Sequence, residues 1–283
     1  MTWQVLITIS ILAYSLAVLV QRLILRSSVD SPIAFSIISQ FICGVIIALI
    51  AGVTGQLSWP NWQPVVWNLF FMTLAYAIGS IATTIALKKS EASKFTVLFA
   101  TRAFLTIAIA GVFLNEKMTG VQLMGAVLIF SGVAITSWQT RKFVLEKADW
   151  LTLLGALCFG AGNVNDRFIL QQMPLFIYNV LAFLLPAIAI GLAFPQQVKK
   201  IPGMLTKTMT TKILVLSSLY CISSLAFFGA LKVATNASQV VSVNLISVIL
   251  IVILSIVLLK EHSRLWLKLL GAVICFAGLL LVV

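Results

Sequence analysis

The sequence predicts an all-α membrane protein with ten transmembrane helices as two inverted five-helix repeats, and three observations carry that prediction. Of 283 residues, 61% are hydrophobic and only 9% are charged, too little polar surface to enclose a water-soluble core. The apolar residues gather in ten runs of spanning length, which is about 20 residues for a hydrocarbon core roughly 30 Å thick. The second half of the chain also echoes the first in register.

The first run, Trp3–Leu25, is too long for a signal peptide and has neither a basic leader nor a small-residue cleavage site, so it reads as a span. Pro32–Val53 and Val65–Leu87 follow, separated by the uncharged aromatic loop GQLSWPNWQP, whose composition suits the membrane interface. Phe95–Leu114 is apolar apart from Arg102, and Val121–Trp138 carries the glycine-framed stretch GAVLIFSG. Leu151–Leu170 ends in the polar cluster NVNDRFIL; Pro174–Phe194, Ile213–Leu231, Gln239–Leu259 and Leu265–Val283 complete the set. Helices are expected throughout, because apolar runs this long satisfy their backbone groups alone only as helices, and barrel strands are shorter and alternate.

Cys43, Cys158, Cys221 and Cys275 all fall inside spans without a CxxC or histidine-rich neighbour, so they read as small packing residues and neither a disulfide framework nor a metal site is indicated. The net charge of +12 does not point to nucleic acid, because the basic residues are scattered through short loops. Loops after odd-numbered runs gather Arg22, Arg26, Lys88, Lys89, Lys94, Arg141, Lys142, Lys147, Lys199, Lys200, Lys207, Lys212, Lys260, Arg264 and Lys268. Loops after even-numbered runs hold only Lys117, Arg167 and Lys232. The tendency of cytoplasmic loops to collect Lys and Arg then places both termini outside the cytoplasm.

GAVLIFSG at 125–132 returns as GAVICFAG at 271–278. A shift of 145 residues lays QRLIL at 21–25 on DRFIL at 166–170, Ala92-Ser93 on Ala237-Ser238, and Leu114-Asn115-Glu116 on Leu259-Lys260-Glu261. The chain therefore divides into units 1–145 and 146–283, and because each holds five spans the second must sit inverted in the membrane. Inverted repeats recur in secondary transporters, where the site lies near the midplane between the two units and rocking exposes it to alternate sides.

The stretches FLNEKMTGVQLMGAVLIFSGVAI at 113–135 and LKEHSRLWLKLLGAVICFAGLLLVV at 259–283 each run from an acidic residue through a short polar turn into a Gly-containing helix. This doubled pattern resembles the drug/metabolite transporter superfamily, and within it the EamA-like ten-helix members, over the whole chain. Many members carry a proline in the fourth and ninth helices about fourteen residues before the acid; here those places hold Arg102 and Ser247. The small multidrug members exchange protons for cationic drugs through a deep glutamate in the first helix, and this first run has no acid, which argues against that device.

A charge inside hydrocarbon costs about 2.5–3.5 kcal/mol or more, so Arg102 needs a reason. At about 1.5 Å per residue from Phe95 it sits roughly 10 Å into its span, too deep to snorkel easily. It either recognises a carboxylate or phosphate bidentately, or serves as a structural partner for a buried acid such as Asp166 or for free carbonyls. In the NVNDRFIL cluster, Asn163 shares a helical face with Asp166 and Arg167. Asn163 is expected to line a cavity, whereas Asp166 and Arg167, near the end of their run, read as interfacial anchors. Tyr14, Gln40, Asn68, Tyr76, Tyr178, Asn179, Tyr220 and Asn244 also fall within spans and offer hydrogen bonds to a ligand or to a neighbouring helix. The glycine pairs 125/132 and 271/278 suit close helix packing, and Glu116 and Glu261 suit caps at helix ends.

The lone histidine, His262, stands in a turn with Glu261 and Arg264, and no phosphate-cradling loop or metal motif accompanies it. The expectation is thus not an enzyme and not an ATP-driven pump, with no cofactor or metal. It is a monomeric carrier in a lipid bilayer, multi-pass in a prokaryotic plasma membrane, without nucleic-acid partners. Its small-molecule substrate is expected to be a polar metabolite such as an amino acid, met by Arg102, Asn163, Asn179, Asn244, Gln40 and the tyrosines 14, 76, 178 and 220. The competing reading is a non-transporting scaffold or ligand sensor on the same fold, of which the sensor would need an appended signalling domain. A passive channel would show rings of polar residues along one helix face.

Overall fold

The computed structural model describes residues 2–27, 29–58, 60, 62–90, 92–113, 119–136, 146–259 and 265–282. Glu116, Lys117, Arg141, Lys142, Lys260, Glu261 and Arg264, to which the sequence assigns capping or orienting roles, lie outside them, as does the turn residue His262.

The described residues form helices and no strand: α1 (Trp3–Ser27), α2 (Pro32–Val53), α3 (Val66–Lys89), α4 (Ala92–Ala100), α5 (Arg102–Phe113), α6 (Gly120–Thr136) and α7 (Lys147–Gln172). There follow α8 (Leu175–Ala193), the single turns α9 (Pro195–Val198) and α10 (Ile201–Met204), α11 (Lys207–Val233), α12 (Ala237–Asn244), α13 (Ile246–Leu259) and α14 (Leu265–Val282). Six helices, with α12 and α13 counted together, are long and apolar enough to cross a membrane. The 26-residue α7 has the length, but its asparagines, Asp166 and Arg167 make it more polar.

Local chemistry sets several starts. The Ser31 hydroxyl accepts the Ala34 amide at 3.2 Å ahead of Pro32, and Thr206 Oγ1 accepts the Met209 amide at 3.3 Å, each satisfying a free donor of the first turn. Large apolar side chains such as Trp67, Phe113 and Leu192 point outward and stay largely exposed. Small and hydroxylated residues such as Ala17, Ala86, Ser15 and Ser217 are buried. Large apolar side chains exposed in such number suit lipid as the surrounding solvent, in which close approach of helices, rather than hydrophobic burial, drives packing. The chain is a multi-pass membrane protein.

Hydrogen bonds define two ends. At one, Arg22 Nη1 of α1 donates to the carbonyls of Leu87 at 2.5 Å and Lys88 at 2.8 Å, closing the end of α3. Lys88 Nζ reaches the carbonyls of Val29 at 2.5 Å and Asp30 at 3.1 Å, and Ser31 Oγ donates to Gln197 of α9 at 2.7 Å. This basic end carries Lys89, Lys199, Lys200 and Lys207 as well. At the opposite end Arg167 of α7 donates to the carbonyls of Leu231, of Ala234 at 2.6 Å and of Thr235 at 3.2 Å, closing the end of α11. Lys232 Nζ reaches the Met173 carbonyl there at 2.9 Å. Arg22 and Arg167, 145 positions apart in the repeat, make the same kind of bond in the same kind of place. Both satisfy the carbonyls that a helix C-terminus leaves free.

This corrects the reading of Asp166 and Arg167 as interfacial anchors: both are buried, Asp166 completely. The polar end of their run marks the meeting of α7 with α3, α8 and α11, not the start of bulk solvent.

The fourth and ninth runs differ from expectation too, since each is two helices. The chain breaks at Thr101 between α4 and α5, and at Leu245 between α12 and α13. Neither break holds a proline. Hydroxyls take the carbonyls: Thr101 Oγ1 donates to Leu98 at 2.7 Å, and Ser247 Oγ donates to Asn244 at 2.6 Å. The local amides tighten to three-residue bonds, Thr101 to Leu98 and Leu245 to Ser242. Such side-chain competition with the backbone bends helices.

The echoed glycine stretches meet each other. α6 packs along α14, and a Cβ on Gly278 would lie 2.6 Å from the Gly125 carbonyl oxygen and 2.8 Å from the Ile129 amide. Only a missing side chain allows backbones so close.

Candidate functional site

A cavity of about 210 Å³ lies among α1, α2, α3, α4, α5, α7, α8, α11 and the end of α12. It is smaller than the roughly 300–1,000 Å³ of drug-sized pockets, so it suits a small metabolite. On α3 its walls use Tyr76 to Leu87 and nothing earlier; on α2, Ser36 to Cys43 and nothing later. It therefore extends from mid-depth toward the basic end. Between α3, α7 and α11 the other end is packed by Val65, Leu69, Met72, Leu170, Met173 and Leu231.

Seven of the nine sequence-selected site residues line this cavity: Tyr14, Gln40, Tyr76, Arg102, Asn163, Tyr220 and Asn244. Tyr178 and Asn179 do not. Tyr178 turns to Asp166, and Asn179 Nδ2 donates to the Leu175 carbonyl of its own helix at 2.9 Å. Asn68, the remaining polar candidate, pairs with Asn165 through Nδ2 at 2.7 Å and receives Asn165 Nδ2 on its carbonyl at 2.9 Å.

Arg102 opens α5 directly after the Thr101 break. Its guanidinium carbon lies 4.5 Å from the centre of the Phe99 ring and 5.5 Å from that of Tyr14, so two aromatic faces support the charge where hydrocarbon would not. It forms no ion pair with Asp166 or with any other described residue. Gly160 of α7 makes the placement possible, because a Cβ there would lie 2.9 Å from the Arg102 carbonyl. Thr106 Oγ1 holds that carbonyl and the Gly160 carbonyl together at 3.0 Å each.

Around Arg102 the polar groups differ in how far they are satisfied. Gln40 Nε2 is held by Ser36 and its Oε1 by Ser80 at 3.3 Å, while Tyr220 donates to Gln21 Oε1 at 2.5 Å. Asn163 Nδ2 has only a long bond to Thr106, at 3.5 Å. Asn244 Oδ1, at the ninth-run break, is buried with no partner among the described residues, an arrangement costly unless something else donates to it. The remaining wall is aromatic, including Phe95, Phe159, Phe183, Phe227 and Phe228, and Tyr76 stacks on Phe159 at 5.0 Å between centroids.

Sequence reasoning missed the phenylalanines and the small hydroxyls. A signal for part of them exists in the sequence: Ser36, Ser39, Gln40 and Cys43 recur at helical spacing inside an apolar run, as do Ser80 and Thr84. The phenylalanines have none, since aromatic residues in a span face lipid or protein equally well. Cys43 and Cys221 behave as packing residues, with the Cys43 thiol donating to the Ser217 carbonyl at 3.6 Å and that of Cys221 to the Cys43 carbonyl at 3.4 Å.

Among solved structures 28 chains match this fold. One, described only as a crystal structure of protein, superposes with a TM-score of 0.76 over 99% of this chain and 95% of its own, at 12% sequence identity. It speaks for the fold alone. No curated protein matches. A model of the EamA-like transporter family matches twice, over residues 1–138 and again over 146–283, together nearly the whole length. Its members are membrane transporters of the drug/metabolite superfamily, and this chain belongs to the EamA-like transporter family.

Proposed function

We propose that this chain is a secondary carrier of ten spans, built as inverted five-span repeats 1–145 and 146–283, that moves a small carboxylate-bearing metabolite such as an amino acid by alternating access. The observation that carries the reading is Arg102: a cavity-lining guanidinium supported by rings and free of any described acidic partner. Its planar fork matches a carboxylate bidentately. The aromatic walls favour a ligand with an apolar body, while Asn163 and the unpartnered Asn244 Oδ1 are placed to orient an ammonium or hydroxyl group.

Two further features support it. Discontinuous helices at matching places in the two repeats, α4/α5 and α12/α13, are the usual surroundings of a midplane site in inverted-repeat carriers. The one-sided cavity also corresponds to one of the two states that alternating access requires, with the basic end on the cytoplasmic side of a plasma membrane.

Thermal stability of the detergent-purified monomer against amino acids, organic acids, sugars, nucleosides and organic cations tests the reading, because a ligand of the folded state raises the unfolding temperature. Carboxylate compounds should stabilise the wild type and not Arg102→Ala. Equal shifts in both proteins, or shifts from cations and neutral compounds alone, would leave Arg102 a structural charge and remove the anionic substrate.

A further inference from the structure

Asp166 is the most deeply placed acid next to the cavity, with no exposed surface, and two phenols hold it: Tyr76 of α3 and Tyr178 of α8 each donate to one carboxylate oxygen. Among the described residues no cation pairs with the carboxylate. Arg167, its chain neighbour, turns to the carbonyls ending α11, and Lys232 of α11 is held by the Met173 carbonyl. Arg102 of α5, across Tyr76, lies over Tyr14 and Phe99. α4 and α12 bring no charged group to it among the described residues. A carboxylate buried without a cation is costly, and hydroxyl donors offset only part of that cost.

The surroundings indicate when that cost is relieved. Tyr76 belongs to the first repeat, whereas Asp166 and Tyr178 belong to the second, and all three sit where the cavity meets the packed end. Asn68 and Asn165 bind α3 to α7 next to Asp166, so an opening of that end, as the carrier reading requires, would part this pair and let water reach Asp166. Closing it returns the carboxyl group to the phenols. The repeat makes the device one-sided, because the position 145 residues earlier is Gln21, which accepts from Tyr220 and cannot titrate.

We propose that Asp166 is a proton-binding site that couples movement of the substrate to a proton. This rests on the carrier reading above. With the packed end open, one carboxylate oxygen forms an O–H bond with a proton delivered by water from that side. With the cavity facing the basic end, the Tyr76 hydroxyl passes its own proton to cavity water and takes the one held by Asp166, so one proton crosses per cycle. Tyr76 is suited to the relay because it lines the cavity and also touches the carboxylate.

The test needs no substrate. Purified protein in liposomes adsorbed on a solid-supported membrane is given a pH jump, and the transient charge displacement is read. Wild type and the exposed-acid control Asp30→Asn should show the same displacement, and Asp166→Asn should lose it. Tyr178→Phe keeps the carboxyl group with one donor fewer, so its displacement should survive with a midpoint moved upward by about one pH unit. No displacement in wild type, an undiminished one in Asp166→Asn, or an unmoved midpoint in Tyr178→Phe would each overturn the proposal. The tyrosine variant decides the matter even where Asp166→Asn does not fold. Counterflow of labelled L-phenylalanine at equal pH on both sides reports the carrier reading separately. Counterflow without displacement rejects the proton site alone, and displacement without counterflow for any compound of the ligand panel rejects the carrier while leaving a proton-binding Asp166.

Discussion

The Arg102 guanidinium lies over the ring of Phe99, three residues earlier and across the helix break, with 4.5 Å from the guanidinium carbon to the ring centre. A cation on a desolvated aromatic face gains about 2 kcal/mol, which offsets much of the cost of a charge in a span and leaves the donor edge free for a ligand.

Charge and fork separate on substitution. Arg102→Lys keeps the charge and loses the bidentate geometry, so ligand-induced stabilisation by carboxylates should fall in the order wild type, Arg102→Lys, Arg102→Ala. A thermal-shift series reads the order, and equal responses of the lysine variant and wild type would mean that the planar fork has no role.

Glycine packing makes a sharp contrast. At Gly278 the atoms a Cβ would meet are the Gly125 oxygen at 2.6 Å and the Ile129 amide at 2.8 Å, backbone that cannot turn aside. Gly278→Ala should therefore destabilise by about 1–3 kcal/mol. Gly229→Ala meets only side chains, Leu6 at 3.4 Å and Leu175 at 3.6 Å, and should stay within about 0.5 kcal/mol of wild type. Unfolding temperatures in detergent compare them.

Arg167 closes α11 with three carbonyls. Arg167→Met should cost about 1.5–3 kcal/mol, and Arg167→Lys should recover little, because one ammonium cannot span acceptors set apart for a guanidinium. Arg22→Met, which frees the Leu87 and Lys88 carbonyls, should behave alike, and urea unfolding of the three variants beside wild type checks the parallel.

Access to the cavity should be one-sided. In a chain whose four cysteines are alanine, Ser80→Cys in the cavity wall should react with a membrane-impermeant maleimide from the basic end, and Leu69→Cys in the packed end should react from neither. Labelling right-side-out and inverted vesicles separates the sides, and labelling of Leu69→Cys in preference to Ser80→Cys would reverse the assignment of the packed end.

Hydropathy and repetition, read along the chain, determined the helices, the near-duplication of the two halves and the membrane as solvent, since a span is chosen by the composition of its own run. They also marked seven residues of the cavity lining, because a polar residue in an apolar run needs a reason wherever it lies. The breaks at Thr101 and Leu245, the position of Asp166 between Tyr76 and Tyr178, and the meeting of Gly125 with Gly278 were decided only by tertiary structure. Each depends on which helix face meets which, and depth along a run says nothing about the neighbour. Asp166 stands near the end of its own run, where water is the natural inference; it is buried because α3, α8 and α11 close around it, and those contacts come from residues far apart in the chain.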